Sequence, residues 1–328
     1  MSKAAELAAL IGSGQAQGDR NLIINGAMNV AQRGTSGTST ADIYTVDRFA
    51  LGHGSPVNAM TFEQSTDTPD NFKNSIKVTA GTGAGASTTG YAILRQAIEG
   101  QNISHLGFGT SAAKAIILSF HVKSSLTGTF GVSIRNQAGN RAYGGTYTIS
   151  SANTWEYVTV AIPGDTSGTW PTDTGTGFNL FWDLGAGSNY DIAAGSWTTG
   201  TNMFGVESTV KLTETSSATF FITGVQLEIG DVATAFEHED FGTTLRKCQR
   251  YFKKSSGLAD DDAWTNIINV IELGYMRTTP TITTTVSTGA NAVFTAFVGL
   301  GGAPVHGVYQ STANNALAQA YIDAAAEL

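Results

Sequence analysis

From Asn21 to about Glu237 the apolar residues of this chain tend to recur at every second position, the period of a backbone whose side chains alternate between two faces. Ile116, Leu118, Phe120 and Val122 share one face of such a segment, while Ser119, His121 and Lys123 share the other. Phe130, Val132 and Ile134 repeat the pattern after the turn Ser124-Ser-Leu-Thr-Gly128, which predicts a hairpin. Phe178, Leu180, Trp182 and Leu184 form another inward face. Between Ala218 and Ile229 the apolar set changes parity at Gly224, from Phe220 and Ile222 to Val225, Leu227 and Ile229. A residue without a side chain at such a switch predicts a bulge.

Many short strands spaced by Gly, Ser, Asn and Thr turns predict a mainly β chain built around a jelly-roll-like β-sandwich. Composition agrees: charged residues are only 13% of the chain and glycines number 39, whereas soluble domains average roughly 25% charged. No repeat of the length that builds propellers or solenoids stands out. The 328 residues allow about two domains of ordinary size. The expected division is an N-terminal docking helix and linker (1–20), the sandwich (21–237), a linker helix (238–256) and a smaller C-terminal β domain (257–328).

The short N-terminal helix rests on Leu7, Leu10 and Ile11, followed by Gly12 and Gly14. So short a helix is marginal in water and needs a partner surface. The linker helix rests on Leu245, Cys248 and Phe252 at helical spacing, with Asp240 as cap and Lys253 and Lys254 at the negative end of the dipole. Beyond it, Asn266 to Met276, Thr278 to Thr288 and Ala292 to Leu300 read as strands, and Ala318 to Leu328 fits either a helix or a closing strand.

Several function classes are argued against. A net charge of -8 without a basic stripe gives no electrostatic grip on nucleic acid. No stretch approaches the ~20 apolar residues of a membrane span, and Ala4 to Ile11 is too short for an export signal. Cys248 is the single cysteine, which excludes an intrachain disulfide and suits synthesis in a reducing cytoplasm. Gly81-Thr-Gly83-Ala-Gly85-Ala86 is not followed by a helix start, so it reads as a loop and not a phosphate cradle. Asp260-Asp261-Asp262 lacks calcium-loop spacing, and His53, His105, His121, His238 and His306 show no zinc pattern. No nucleophile elbow occurs. Asp165, Asp173, Asp183 and Asp191 fall in loops, where two carboxylates could converge, but sequence alone does not pair them. No catalytic residue, metal or cofactor is therefore predicted. Trp155 and Trp182 fit core positions, whereas Trp170 and Trp197 lie in turns. There their rings can either anchor a loop or stack on a sugar face beside a polar group such as Asp173, so these three are the candidate ligand-binding residues.

One ordered series crosses this frame. It runs Asn21-Leu-Ile-Ile-Asn-Gly26, Gln32-Arg-Gly34, Tyr44-Thr-Val-Asp-Arg-Phe49, Gln96-Ala-Ile-Glu-Gly100, Leu118-Ser-Phe120, Trp155-Glu156, Ile162-Pro-Gly-Asp165, Gly224-Val-Gln-Leu-Glu-Ile-Gly230, Ala233-Thr-Ala-Phe-Glu237 and Cys248-Gln-Arg-Tyr251. Met276-Arg-Thr-Thr-Pro280 and the terminal Ala326-Glu-Leu328 follow it. The series resembles a family of bacteriophage tail-fibre and minor tail structural proteins. Phe49 stands where such proteins often carry Trp, and Ala235 where Pro is common. The resemblance implies a sandwich similar to carbohydrate-binding modules, carried in a virion tail, assembled as a homotrimer and without enzyme activity. The reading built on it has the N-terminal segment docking to other tail proteins, the sandwich as a body, and the C-terminal β region (257–328) distal, contacting a host-surface glycan or a neighbouring fibre. A purely structural tail adaptor and a glycan-degrading tail enzyme are the alternatives.

Overall fold

The computed structural model describes residues 20–259 apart from 40–41, 45, 55–56 and 84–87. Beyond them it describes the strands 268–274, 281–286, 292–297, 305–311 and 318–325, with 276–278, 280 and 326–327. The N-terminal helix and Asp260 to Asp262 lie outside the described residues. The chain divides into two compact units between Glu239 and Asp240.

The first unit is a two-sheet β-sandwich, with strands numbered in chain order. A six-stranded sheet runs in the order β1 (Ser36–Thr38), β4 (Thr61–Ser65), β5 (Ser75–Thr79), β15 (Thr219–Ile229), β7 (Ile116–Ser124) and β10 (Glu156–Ile162). A seven-stranded sheet runs β13 (Trp197–Thr199), β9 (Arg141–Ile149), β8 (Gly128–Asn136), β11 (Thr176–Asp183), β6 (Tyr91–Glu99), β3 (Ala50–Gly54) and β2 (Ile43–Tyr44). Two short parallel strands, β12 (Asp191–Ile192) and β14 (Gly205–Val206), stand apart.

The alternation read from sequence is what packs the sheets. Leu118, Phe120 and Val122 with Phe220, Ile222 and Leu227 meet Phe130, Val132, Ile134, Leu180 and Trp182 in one core. Burying each such side chain contributes about 1.5–3 kcal/mol. Trp182 is fully buried, its ring 6.1 Å from Phe49 and 5.8 Å from Phe120.

The expected hairpin across Ser124–Gly128 is not formed. Instead β7 pairs with β10 and β15 in one sheet, and β8 with β9 and β11 in the other. The turn is a corner between sheets, fixed where Ser124 Oγ donates to Thr219 O at 2.8 Å and accepts from Leu126 N at 3.1 Å. Leu126 packs on the core.

The parity switch at Gly224 is a bulge. The β15–β7 register shifts between Thr223 and Gln226, and Gly224 has φ +62°. A Cβ there would lie 2.6 Å from the Phe72 ring and 3.0 Å from His121. The N-terminal segment closes on this bulge: Asn21 Nδ2 donates to Val225 O (3.1 Å), Leu227 N to Asn21 Oδ1 (3.0 Å) and Val225 N to Gly26 O (3.0 Å). Glu228 accepts from Thr234 N at 2.8 Å and faces Arg20 at 3.9 Å.

The second unit opens with the helix Phe241–Gln249, whose Asp240 cap accepts from Thr243 N. The helix is shorter than its apolar spacing suggests, because Phe252 already begins β16 (Phe252–Ala259). One three-stranded sheet orders β16, β21 (Ala318–Ala325) and β18 (Thr281–Val286); another orders β17 (Ile268–Gly274), β20 (Val305–Ser311) and β19 (Ala292–Phe297). The alanine-rich tail is thus a strand, held in the middle of its sheet. Arg277 donates to the carbonyls of Ala326 (3.0 Å) and Glu327 (2.9 Å).

Candidate functional site

Strand alternation gives the seven-stranded sheet a second face, turned away from the core, and its register decides which residues meet there. Phe181 stands directly opposite Arg95 on β6 and Ser133 on β8, while Arg135 is one pleat further along, opposite Asn179. The segment from Leu184 to Val206 lies over part of this face. It is held by Ser133 Oγ donating to Phe204 O (2.9 Å), and by the N–H groups of Phe204 (3.1 Å) and Gly205 (3.0 Å) donating to Tyr190 O.

Between this segment and the sheet is an open cleft of ≈ 370 Å³. Its floor is Ile93 and Phe181; its apolar wall is Tyr91, Tyr190 and Phe204. Tyr190 is stacked on Phe204 at 4.5 Å and 19°, and Tyr91 meets both rings edge-on at 5.5 and 5.3 Å. The Tyr190 hydroxyl donates to Thr89 O at 2.9 Å, which fixes the ring. The polar side consists of Asp42, Arg95, Arg135 and Asn202. Arg95 donates to Asp42 at 2.9 Å. Gly52 on the neighbouring strand leaves room for that pair, since a Cβ there would meet Asp42 Oδ1 at 3.0 Å.

The Arg135 guanidinium lies over two of the cleft rings, 5.1 Å from the centroid of Phe181 and 5.6 Å from that of Phe204. Burial, and after it the nearby Arg95, lowers Arg135 from its ordinary value. Burial, with the Asp42 charge second, raises the Tyr91 phenol, which stays neutral. Flat rings beside hydrogen-bonding groups that point into one space suit a sugar, whose apolar C–H faces stack and whose hydroxyls both donate and accept. Among the described residues lining the cleft, Asp42 is the one carboxylate.

The residues singled out from sequence lie elsewhere. Trp170 is enclosed, only 7% exposed, with Phe108 at 5.0 Å and Trp197 at 5.5 Å, and its Nε1 donates to Ser167 O. Half-buried Trp197 packs on Tyr143 at 5.4 Å and donates to Pro163 O at 2.8 Å. The structure brings these two rings together as the anchor of the loops that hold them. Asp173 is exposed and accepts from Gly175 N at 2.9 Å, turning its own loop. None of the three lines the cleft. Trp155, expected in the core, is half-buried on the outer face of the six-stranded sheet, donating to Asp67 and lying under Lys123.

The cleft residues were accessible to sequence reading only through parity. Tyr91 and Arg95 alternate with inward Ala92 and Leu94, as Phe181 does with Leu180 and Trp182. Tyr190 and Phe204 belong to an irregular segment and carried no such signal.

No protein-family model matches this chain, and no curated protein matches it. Among solved structures, 64% of the chain is similar to 22% of the bacteriophage CBA120 tailspike protein 4 enzymatically active domain, at 15% identity and a TM-score of 0.34. The family 22 carbohydrate-binding module of Clostridium thermocellum Xyn10B is similar over 66% of this chain and 99% of its own, at 11% identity and a TM-score of 0.33. The family 11 module of Clostridium thermocellum Lic26A-Cel5E is similar over 62% and 98%, at 16% identity and a TM-score of 0.30. The chain thus spans about a fifth of the tailspike chain and nearly all of either module.

Proposed function

We propose that this protein is a non-enzymatic component of a bacteriophage tail, fibre- or adhesin-like, that attaches the particle to a host-surface glycan. The observation that carries the binding half is the cleft, where four aromatic rings and the Asp42–Arg95 pair face one open space. The tail half rests on the ordered series from Asn21 to Tyr251. Cleft contacts with a few sugar units are individually weak, and linked copies in a homotrimer would add avidity.

The test is retention of the full chain on purified host-surface polysaccharide, with Tyr190→Ala as the cleft variant and a thermal melt as folding control. Retention reduced about ten-fold or more is expected, since a lost aromatic stack with its buried area costs on the order of 1–3 kcal/mol. Equal retention by a folded variant would remove the cleft from the function. Release of reducing ends from the polysaccharide would overturn the non-enzymatic reading, and a monomeric mass by light scattering would overturn the trimer. Immunolabelling at a tail joint together with silence on glycan arrays would favour the structural adaptor.

A further inference from the structure

We infer that the cleft selects an acidic saccharide, a uronate-type sugar whose carboxylate pairs with Arg135 while its ring lies against Tyr190 and Tyr91. This rests on the saccharide-binding reading above and narrows it to a charge class. Three observations carry it. The single carboxylate lining the cleft, Asp42, is already engaged by Arg95 at 2.9 Å. Among the described residues Arg135 has no carboxylate in salt-bridge range, its Nε is buried without a hydrogen-bond partner, and its neighbours are the faces of Phe181 and Phe204. Two guanidinium groups thus stand in the cleft against one carboxylate, on a chain whose net charge is -8.

A guanidinium stays charged at neutral pH and presents a rigid fork of donors that matches a carboxylate. Partly desolvated against rings, it gains more from an anion than an exposed arginine does, because the surroundings screen the attraction less. The ring stack explains why the anion should arrive on a sugar: a small free anion would leave the Tyr190 and Tyr91 faces unused. Burial and the neighbouring Arg95 both act against the charged form of Arg135, and the charge of a bound carboxylate offsets that cost.

The experiment titrates the full-length protein calorimetrically with oligogalacturonate and oligoglucuronate, with the methyl esters of the same oligomers, and with a sulfated neutral oligosaccharide. At least one uronate oligomer is expected to bind ten-fold or more tighter than its ester, with affinity falling as salt rises. Arg135→Met should abolish that preference at unchanged melting temperature, and Arg135→Lys should keep part of it. Equal binding of acid and ester, or a preference untouched by Arg135→Met, would overturn the acidic assignment while leaving a saccharide cleft. Binding of the sulfated oligomer alone would overturn the carboxylate. If neither these oligomers nor host polysaccharide bound the intact chain, the saccharide reading itself would fall.

Discussion

Lys211 donates to the fully buried carboxylate of Asp183 at 2.5 Å, at the point where β11 leaves the sheet and the segment over the cleft begins. The same carboxylate accepts from the N–H groups of Gly185 (3.0 Å), Ala186 (2.7 Å) and Val206 (3.0 Å), so both ends of that segment are tied to one residue. Lys211 also reaches Asp191 at 3.1 Å. The wall carrying Tyr190 and Phe204 is therefore held by one ionic knot.

Replacing Lys211 by Met strands the Asp183 charge in the interior. Breaking a buried pair on one side costs about 3–5 kcal/mol, and chemical denaturation of Lys211→Met should show a loss of that size. A change within about 1 kcal/mol, near what an exposed pair contributes, would mean the backbone amides alone hold Asp183.

Gly224→Ala tests the bulge. The substitution forces a Cβ onto φ +62° and to 2.6 Å from Phe72, and the left-handed conformation alone costs roughly 1–2 kcal/mol. The melt should shift down accordingly. Gly195→Ala, at φ +87° with nothing within 4 Å, is the nearer control that separates backbone strain from the collision.

Asn21→Ala removes the acceptor of Ile23 N and Leu227 N and the donor to Val225 O. Leaving such groups unpaired costs on the order of 1–3 kcal/mol. Hydrogen exchange should accelerate first at Leu227 and Ile23, and unchanged protection there would show the clasp to be dispensable.

Acid should weaken the first unit through His121. Burial among Phe72, Tyr157 and the bulge lowers its folded value below the ordinary 6.5. The unfolded chain therefore takes up its proton first. The contribution is complete above about pH 6.5 and is lost as the pH falls toward the folded value. His105, lowered by burial and then by Lys114, adds in the same direction. Melting temperature should drop between pH 7 and 5.5, and His121→Gln should flatten that slope while leaving the part due to His105; an unchanged slope in the variant would exclude His121.

Sequence revealed what depends on local period and missed what depends on register. Inward Phe120, Phe220 and Trp182 were legible because alternation alone assigns a face, and Gly224 because a parity switch needs a residue that can absorb it. The corner at Ser124 to Gly128 reads as a hairpin in sequence because a turn between two sheets and a turn within one use the same residues. Trp170 and Trp197 stand out as loop aromatics, yet loops at the sandwich rim need anchors, and the rings pack against Phe108 and Tyr143. The cleft was invisible because Arg95, Arg135 and Phe181 become neighbours only through the pairing of β6, β11 and β8.

The closure of the N-terminal segment on β15 has a mechanical side. Arg20 donates to Ala235 O at 3.0 Å, and Asn21 N donates to the Glu237 carboxylate at 3.0 Å, so the first described residues of the unit lie beside its last ones. Tension applied to the two ends would be balanced across that contact and not transmitted through the sheets. A pull would have to open this clasp before it loaded the strands that shape the cleft, and the cleft would keep its geometry until the clasp gave way.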